Sequence, residues 1–324
     1  MNKEKISREK LDKFKKLVDK ADTIAIASHV NPDGDNLGSS LALRRSLELY
    51  GKNVEVIGFD TIDDYLSFLP EKEYYKGPSR DSYDLFMILD CSEFARIGEK
   101  ANKIAKASKK SLVIDHHVGG SIRADLNLIY EKAPATCEIV FEILDRLKLP
   151  IDKDVSSLLY TGLMTDTNRF LYSNVTEYTF YMAGRLISLG ADSQYIYRNL
   201  YQSKPMKVMK FENEIIQNAE FFDKKAYSVV SKELVEKHGV QMGDAETVIG
   251  LLRDIDEVEV AMLLKEYDDG EYKVSLRSKD YDVSKLAREN GGGGHIKASG
   301  FSIFEKSLDE ANKKALKMLK ELDV

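Results

Sequence analysis

Cysteine is scarce in this sequence and unpatterned. Cys91 and Cys137 are the only two, neither sits in a CxxC pair, and a disulfide framework is excluded. Long hydrophobic runs are missing too. No apolar stretch approaches the about 18–20 residues a helical membrane span needs, so none is expected. The first residues, MNKEKISREKLDKFKKLVDKAD, are charged and helix-periodic and contain no apolar core of a signal peptide; the cytoplasm is the expected location. Basic tracts are also absent. Lys and Arg number 48 against 54 Asp and Glu, a net charge of −6, with a pI near 5.6. Proteins that grip long duplexes carry a basic face, so duplex nucleic acid is not expected as a partner. Any nucleic-acid substrate is expected to be small and held by a local cluster. Repeats and low-complexity tracts are lacking, apart from four glycines at 291–294.

What is present supports two cores: 43 % hydrophobic and 31 % charged residues in a chain of 324, longer than one ordinary domain. Residues 3–20 read as an amphipathic helix and TIAIAS (23–28) as a strand ending at His29. A helix over 36–50 stops at Gly51. Strands follow at 53–59, 84–90 and 111–115, with a charged helical stretch near 94–109. Further helices are expected at 135–148, 153–165 and 176–189. Such alternation implies βαβ units and a largely parallel sheet. Beyond a polar, partly helical connector at 191–214, the pattern changes. Strands at 226–231, 258–267 and 272–278 mix with helices near 232–238, 244–252 and 308–321. The predicted fold is α/β: a largely parallel-sheet domain over 1–190, then a smaller mixed-sheet α/β domain over 215–324.

Four of the five histidines stand beside aspartates or glycines at element ends. SHVNPDGDNLGSS places His29, Asp33 and Asp35 between a strand and a helix. In open α/β sheets ligands bind at the carboxyl ends of strands, and imidazole with carboxylate suits a borderline-hard divalent ion. The plainer reading of Asn-Pro-Asp-Gly-Asp is a turn with helix-capping aspartates. DLFMILD ends in Asp90, SLVID in Asp115-His116-His117, and a helical run in Asp166. Four acidic clusters from the termini of different elements exceed what one ion uses, whereas two ions sharing a carboxylate can take them.

These residues match, in order, the four motifs of the DHH phosphoesterases, which the sequence resembles over nearly its whole length. GGGGH (Gly291–His295) matches the signature of the DHH-associated domain of one branch. YTGLMTDTNRFLYSN and GGGGHIKASGF are similar to small bacterial enzymes that degrade oligoribonucleotides of two to a few nucleotides and dephosphorylate 3′-phosphoadenosine 5′-phosphate. The resemblance implies a phosphodiesterase using two divalent ions, Mn²⁺ foremost, to release 5′-mononucleotides from short oligoribonucleotides or linear dinucleotides such as pApA. It implies His29, Asp33 and Asp90 around one ion, and Asp35, Asp90, His116 and Asp166 around the other, with Asp90 bridging. Asp115 would orient a neighbouring imidazole, and His117 would face the phosphate. A homodimer is left open. A single-strand DNA exonuclease and an inorganic pyrophosphatase are the rival activities on the same motifs. Asn36 departs from the family pattern, in which a small apolar residue often follows the second aspartate; a polar contact beside the metals is expected from it.

Four consecutive glycines permit close backbone approach to a ligand. With His295 after them, Gly293 and Gly294 suggest a phosphate or nucleotide cradle of backbone N–H groups; a flexible linker is the alternative. Arg277, in YKVSLRS, is a partner for bidentate phosphate contact or an ordinary edge-strand charge. Arg96 and Arg169 follow metal-motif aspartates, where phosphate contact and surface salt bridges explain them equally well. Cys91, His238 and the tyrosines at 195, 197 and 201 are read as structural.

Overall fold

The computed structural model describes residues 6–91, 93–117 and 119–324; the part of the expected first helix on residues 3–5 lies outside them. The chain forms two compact units, Met1–Ser203 and Lys204–Val324.

In the first unit, α1 (Arg8–Lys20) begins where Ser7 caps the Lys10 N–H, and it buries Leu11, Phe14 and Val18, a stripe at helical spacing. The strands are β1 (Thr23–Ala27), β2 (Asn53–Ile57), β3 (Tyr75–Lys76), β4 (Leu85–Leu89), β5 (Lys110–Asp115) and β6 (Leu126–Ile129). They form one sheet in the order β3-β2-β1-β4-β5-β6, and every pairing is parallel. β3 and β6 were not expected from the sequence, because two and four residues on an edge are too short to show a period. Along TIAIA, Ile24 and Ile26 join one apolar layer while Ala25 and Ala27 join the other. A parallel sheet needs both faces covered. Here α1, α2 (Gly34–Leu49), α4 (Thr136–Leu147), α5 (Lys153–Asp166) and α6 (Glu177–Ser188) supply one layer, and α3 (Glu99–Ala107) supplies the other. α7 (Ser193–Tyr201) adds Ile196 to the first.

Strand order reverses between β1 and β4, and at such a switch point the carboxyl ends open a crevice. The chain leaves β1 towards His29, leaves β4 at Asp90, and ends β5 at Asp115. α2 and α5 meet closely behind this crevice. A Cβ on Gly38 would stand 2.6 Å from the Leu158 carbonyl oxygen, and one on Gly162 would stand 2.3 Å from Cys137 Sγ.

The second unit contains α8 (Met206–Gln217), β7 (Glu220–Phe222), β8 (Lys225–Val230), α9 (Lys232–His238), α10 (Val248–Arg253), β9 (Val260–Glu266), β10 (Glu271–Ser278), α11 (Ser284–Glu289), β11 (Gly293–His295), β12 (Ala298–Phe304) and α12 (Leu308–Lys320). Pro205, within the stretch expected to connect the domains, caps the start of α8. The sheet order is β11-β12-β10-β9-β8-β7. β8 and β9 run parallel and the other pairs antiparallel, so the sheet is mixed as expected. β9 is buried on both faces: Val260, Met262 and Leu264 join one cluster, and Ala261 and Leu263 the other. On β10 only Tyr272, Val274, Leu276 and Ser278 are buried, leaving Lys273, Ser275 and Arg277 on a less covered face. Among the described residues, no helix is long and apolar enough to cross a membrane.

The close approach of α2 to α5 makes a specific demand. Gly38→Ala should destabilise the chain by about 1–3 kcal/mol, the usual range for overpacking a filled core. Chemical denaturation checks it, and an unchanged midpoint would show that the two helices are free to separate.

Candidate functional site

Asp33 carries both readings of its loop in one side chain. Its Oδ1 caps α2, accepting from Asp35 N at 3.1 Å and Asn36 N at 3.0 Å, so the helix starts at Gly34 rather than at residue 36. Its Oδ2 stands 3.8 Å from His29 Nε2. Asp90 leaves β4 in the left-handed region, φ 53°, a conformation disfavoured for a residue with a Cβ and concentrated at functional sites. Its two oxygens face different imidazoles. Oδ2 is 3.3 Å from His29 Nε2, and Oδ1 is 3.5 Å from His116 Nε2. His116 Nε2 also lies 3.1 Å from Asp166 Oδ2 and 4.0 Å from Asp35 Oδ2.

Three sets therefore bring donor atoms within 4.8 Å of one another: His29, Asp33 and Asp90; Asp35, His116 and Asp166; and Asp90, His116 and His117. The imidazoles are oriented as ligands. His29 Nδ1 is 2.9 Å from the Val30 carbonyl and His116 Nδ1 is 3.2 Å from the Ala133 carbonyl. A carbonyl only accepts, so each Nδ1 carries the proton and Nε2 faces the carboxylates.

Asp35 is fully buried and Asp90 is 2 % exposed. Among the described residues, the ion-pair partners of Asp33, Asp35, Asp90 and Asp166 are histidines, with no Lys or Arg. Burial, then Asp166, pushes the Asp35 carboxyl up to about 6 against the pull of His116. Burial, then Asp35 and Asp33, pushes Asp90 well above the carboxylate range. Burial lowers His116, but Asp166, Asp35 and Asp90 outweigh it and hold the imidazole at about 10. An excess of buried negative charge with imidazole donors is what divalent cations fit.

The start of α4 is a part of the site that the sequence reading did not single out. Thr136 N and Cys137 N donate to Asp35 at 2.6 and 2.9 Å, and Thr136 Oγ1 donates to Asp90 Oδ1 at 3.0 Å. A helix N-terminus with its free N–H groups favours an anion; Pro134 and Thr136 at the start of the expected helix were the available signal.

Asp115 is buried, and its Oδ1 takes the His116 and His117 backbone N–H groups at 2.8 and 3.2 Å and stands 2.8 Å from His117 Nδ1. The imidazole it holds is thus His117, whereas His116 is oriented by Ala133. Asn36 touches the backbone instead of a metal position: Nδ2 donates to the His29 carbonyl at 2.9 Å. Neither Arg96 nor Arg169 has an ion pair among the described residues, which leaves the salt-bridge reading without a partner.

In the second unit, Arg277 and His295 both pair with Ala298, from β10 and β11 on either side of β12. Directly opposed residues in antiparallel strands share a face, so the two side chains flank one methyl group. The four glycines divide. Gly291 and Gly294 have φ of 76° and 129°, and a Cβ on Gly292 would stand 2.1 Å from the Gly300 carbonyl oxygen. Gly293 has ordinary φ and open space. The segment read as a loop thus ends in an edge strand whose outer N–H groups are not paired in the sheet.

Residues 23–163 match the DHH family N-terminal domain and residues 223–321 the DHHA1 domain. The bifunctional oligoribonuclease and PAP phosphatase NrnA of Bacillus subtilis is 33 % identical over 303 residues, 90 % of this chain and 92 % of that protein. The probable bifunctional oligoribonuclease and PAP phosphatase NrnA of Streptococcus mutans is 29 % identical over 302 residues, 92 % and 95 % of the two chains. The crystal structure of an exopolyphosphatase-related protein from Bacteroides fragilis superposes with a TM-score of 0.93 at 29 % identity, covering 99 % of this chain and 98 % of that one.

The charge balance has a measurable consequence. His116, held at about 10, carries a proton at pH 7 that a cation must displace to reach Nε2. Loading with Mn²⁺ at pH 7 should therefore release about one proton or more per chain, and affinity should rise with pH towards 10. Titration calorimetry in two buffers of different ionisation enthalpy reads this directly. Equal heats in both would remove His116 from the ligand set.

Proposed function

The chain belongs to the DHH family, whose curated relatives are hydrolases, and from that premise we propose that it is a phosphodiesterase releasing 5′-mononucleotides from short oligoribonucleotides and linear dinucleotides such as pApA. The 3′-phosphate of 3′-phosphoadenosine 5′-phosphate is a second substrate on this reading, in keeping with the names of both NrnA relatives. The observation that carries the proposal is Asp90, whose two oxygens face His29 and His116 separately.

His29, Asp33 and Asp90 would hold one divalent cation, and Asp35, Asp90, His116 and Asp166 the other. Bound there, two cations, Mn²⁺ by preference, neutralise phosphate oxygens and acidify water. The chain's own groups supply the rest. His117, fixed through Nδ1 by Asp115, offers Nε2 to the phosphate and gives a proton to the departing 3′ oxygen as the oxygen of a water bonds to phosphorus and the P–O3′ bond breaks. Arg277, His295 and the backbone at Gly293 and Gly294 bind the terminal nucleotide. A net charge of −6 offers a long polyanion little attraction, which favours substrates of a few nucleotides.

Three measurements test this. Asp90→Asn should lower kcat by about 100-fold or more, since both cation positions lose one shared anion; wild-type turnover in this variant would sink the two-metal reading. Across a ladder from pApA to about 24 nucleotides, beyond the ~4–16 that single-strand-binding modules cover, kcat/KM should peak at the shortest members. Arg277→Ala and His295→Ala should raise KM at unchanged Mn²⁺ content. A ladder that rises with length favours a single-strand exonuclease, and preference for pyrophosphate or polyphosphate in the same assay favours phosphoanhydride hydrolysis.

A further inference from the structure

Just after Asp166, the backbone does something it does nowhere else among the described residues. Asn168, Arg169 and Phe170 are three consecutive non-glycine residues in the left-handed region, with φ of 45°, 62° and 65°. Each is sterically disfavoured, least so for Asn, and such outliers persist only where the surroundings over-determine them. Here they do. Arg169 N donates to the Met164 carbonyl at 2.9 Å, and Leu171 N to the Thr167 carbonyl at 2.9 Å. The Thr167 hydroxyl donates to the Leu163 carbonyl at 2.6 Å and accepts from Phe170 N at 2.9 Å. The Phe170 ring is anchored between Tyr160 and Phe180, 6.3 and 5.4 Å away.

The result is a turn that tucks Phe170 in and leaves Arg169 exposed. The guanidinium carbon lies 5.2 Å from the centre of the Tyr201 ring, and the Tyr201 hydroxyl donates to the Met164 carbonyl at 3.3 Å, the same backbone group that accepts from Arg169 N. Both ends of the side chain are thereby tied to the end of α5. Among the described residues Arg169 has no carboxylate partner; besides the Tyr201 ring, its guanidinium meets Asn168 Oδ1 at 3.4 Å. An unpaired cation on a rigid, strained turn, three residues from a carboxylate of the candidate metal set, is placed for an anionic ligand.

We propose that Arg169 is a phosphate ligand of the substrate, donating two N–H groups to non-bridging oxygens of the phosphoryl group under attack. A planar fork matches that geometry where a lysine does not. The inference rests on the reading of Asp166 as part of a phosphoester-hydrolysing site.

The test uses the full chain loaded with Mn²⁺, as wild type, Arg169→Ala and Arg169→Lys. Equilibrium binding of the product 5′-AMP should weaken about tenfold in Arg169→Ala, and kcat on pApA should fall about 100-fold, the loss typical of one oxyanion donor. Added guanidinium should restore part of the Arg169→Ala rate, with Mn²⁺ content and Tm unchanged. Arg169→Lys should keep 5′-AMP binding better than it keeps kcat, and it serves alone if the alanine variant does not fold. Wild-type 5′-AMP affinity in the variants overturns the proposal. So does a loss that tracks Mn²⁺ content or Tm and is not rescued, which would make the Arg169–Tyr201 contact a structural fastening. If wild type fails to cleave pApA yet binds 5′-AMP about tenfold more tightly than Arg169→Ala, the phosphate contact stands and the substrate reading falls.

Discussion

Negative charge crowded into a place water barely reaches is the constraint on which the first unit depends. Asp35 and Asp90 are buried, Asp33 and Asp166 lie within reach of the same two imidazoles, and no ammonium or guanidinium among the described residues pairs with them. Burying an ion costs several kcal/mol even after relaxation. The compensation present in the chain is partial: two backbone amides at the start of α4 and the His116 imidazole for Asp35, and one hydroxyl and three imidazoles for Asp90. Such an arrangement takes up protons or cations. The same crowding that costs stability would set the affinity for a divalent ion held there.

Holding the carboxylates at those separations requires stiff supports. β4, a middle strand with neighbours on both sides, delivers Asp90. α2 carries Asp33 as its cap and Asp35 in its first turn, α5 carries Asp166, and the two helices approach closely because Gly38 and Gly162 have no side chain to hold them apart. Asp33 economises on parts by capping α2 with one oxygen and facing His29 with the other. Asn36 belongs to the same scaffold, tying the start of α2 to the backbone of His29.

The second unit solves a different problem, that of presenting groups without burying them. Helices and apolar residues cover both faces of β9 but not of β10 and β12. On that barer face Arg277, Ala298 and His295 form a row across three strands. Three of the four glycines before His295 are demanded by φ or by contact within the unit. Gly293 is demanded by neither, and a side chain there would meet open space.

Much of this was legible in the sequence, for identifiable reasons. Alternating strand and helix periods announce a parallel sheet, and aspartates and histidines at the ends of apolar runs announce a crevice, because both signals are carried by side chains along a local stretch. The amides that Thr136 and Cys137 give to Asp35 were not legible, since a backbone N–H is something every residue but proline owns. Nor was the choice of His117 rather than His116 as the imidazole held by Asp115, since adjacent residues differ only in where the chain turns after β5. The left-handed run at Asn168–Phe170 leaves no periodic trace. The sequence by itself determined which chemical groups would be available and on which kind of element each would stand. Tertiary structure decided which of them meet. Strand order and helix packing bring His29, Asp90, His116 and Asp166, far apart in the chain, each within 4 Å of the next, and those depend on contacts that no local pattern records.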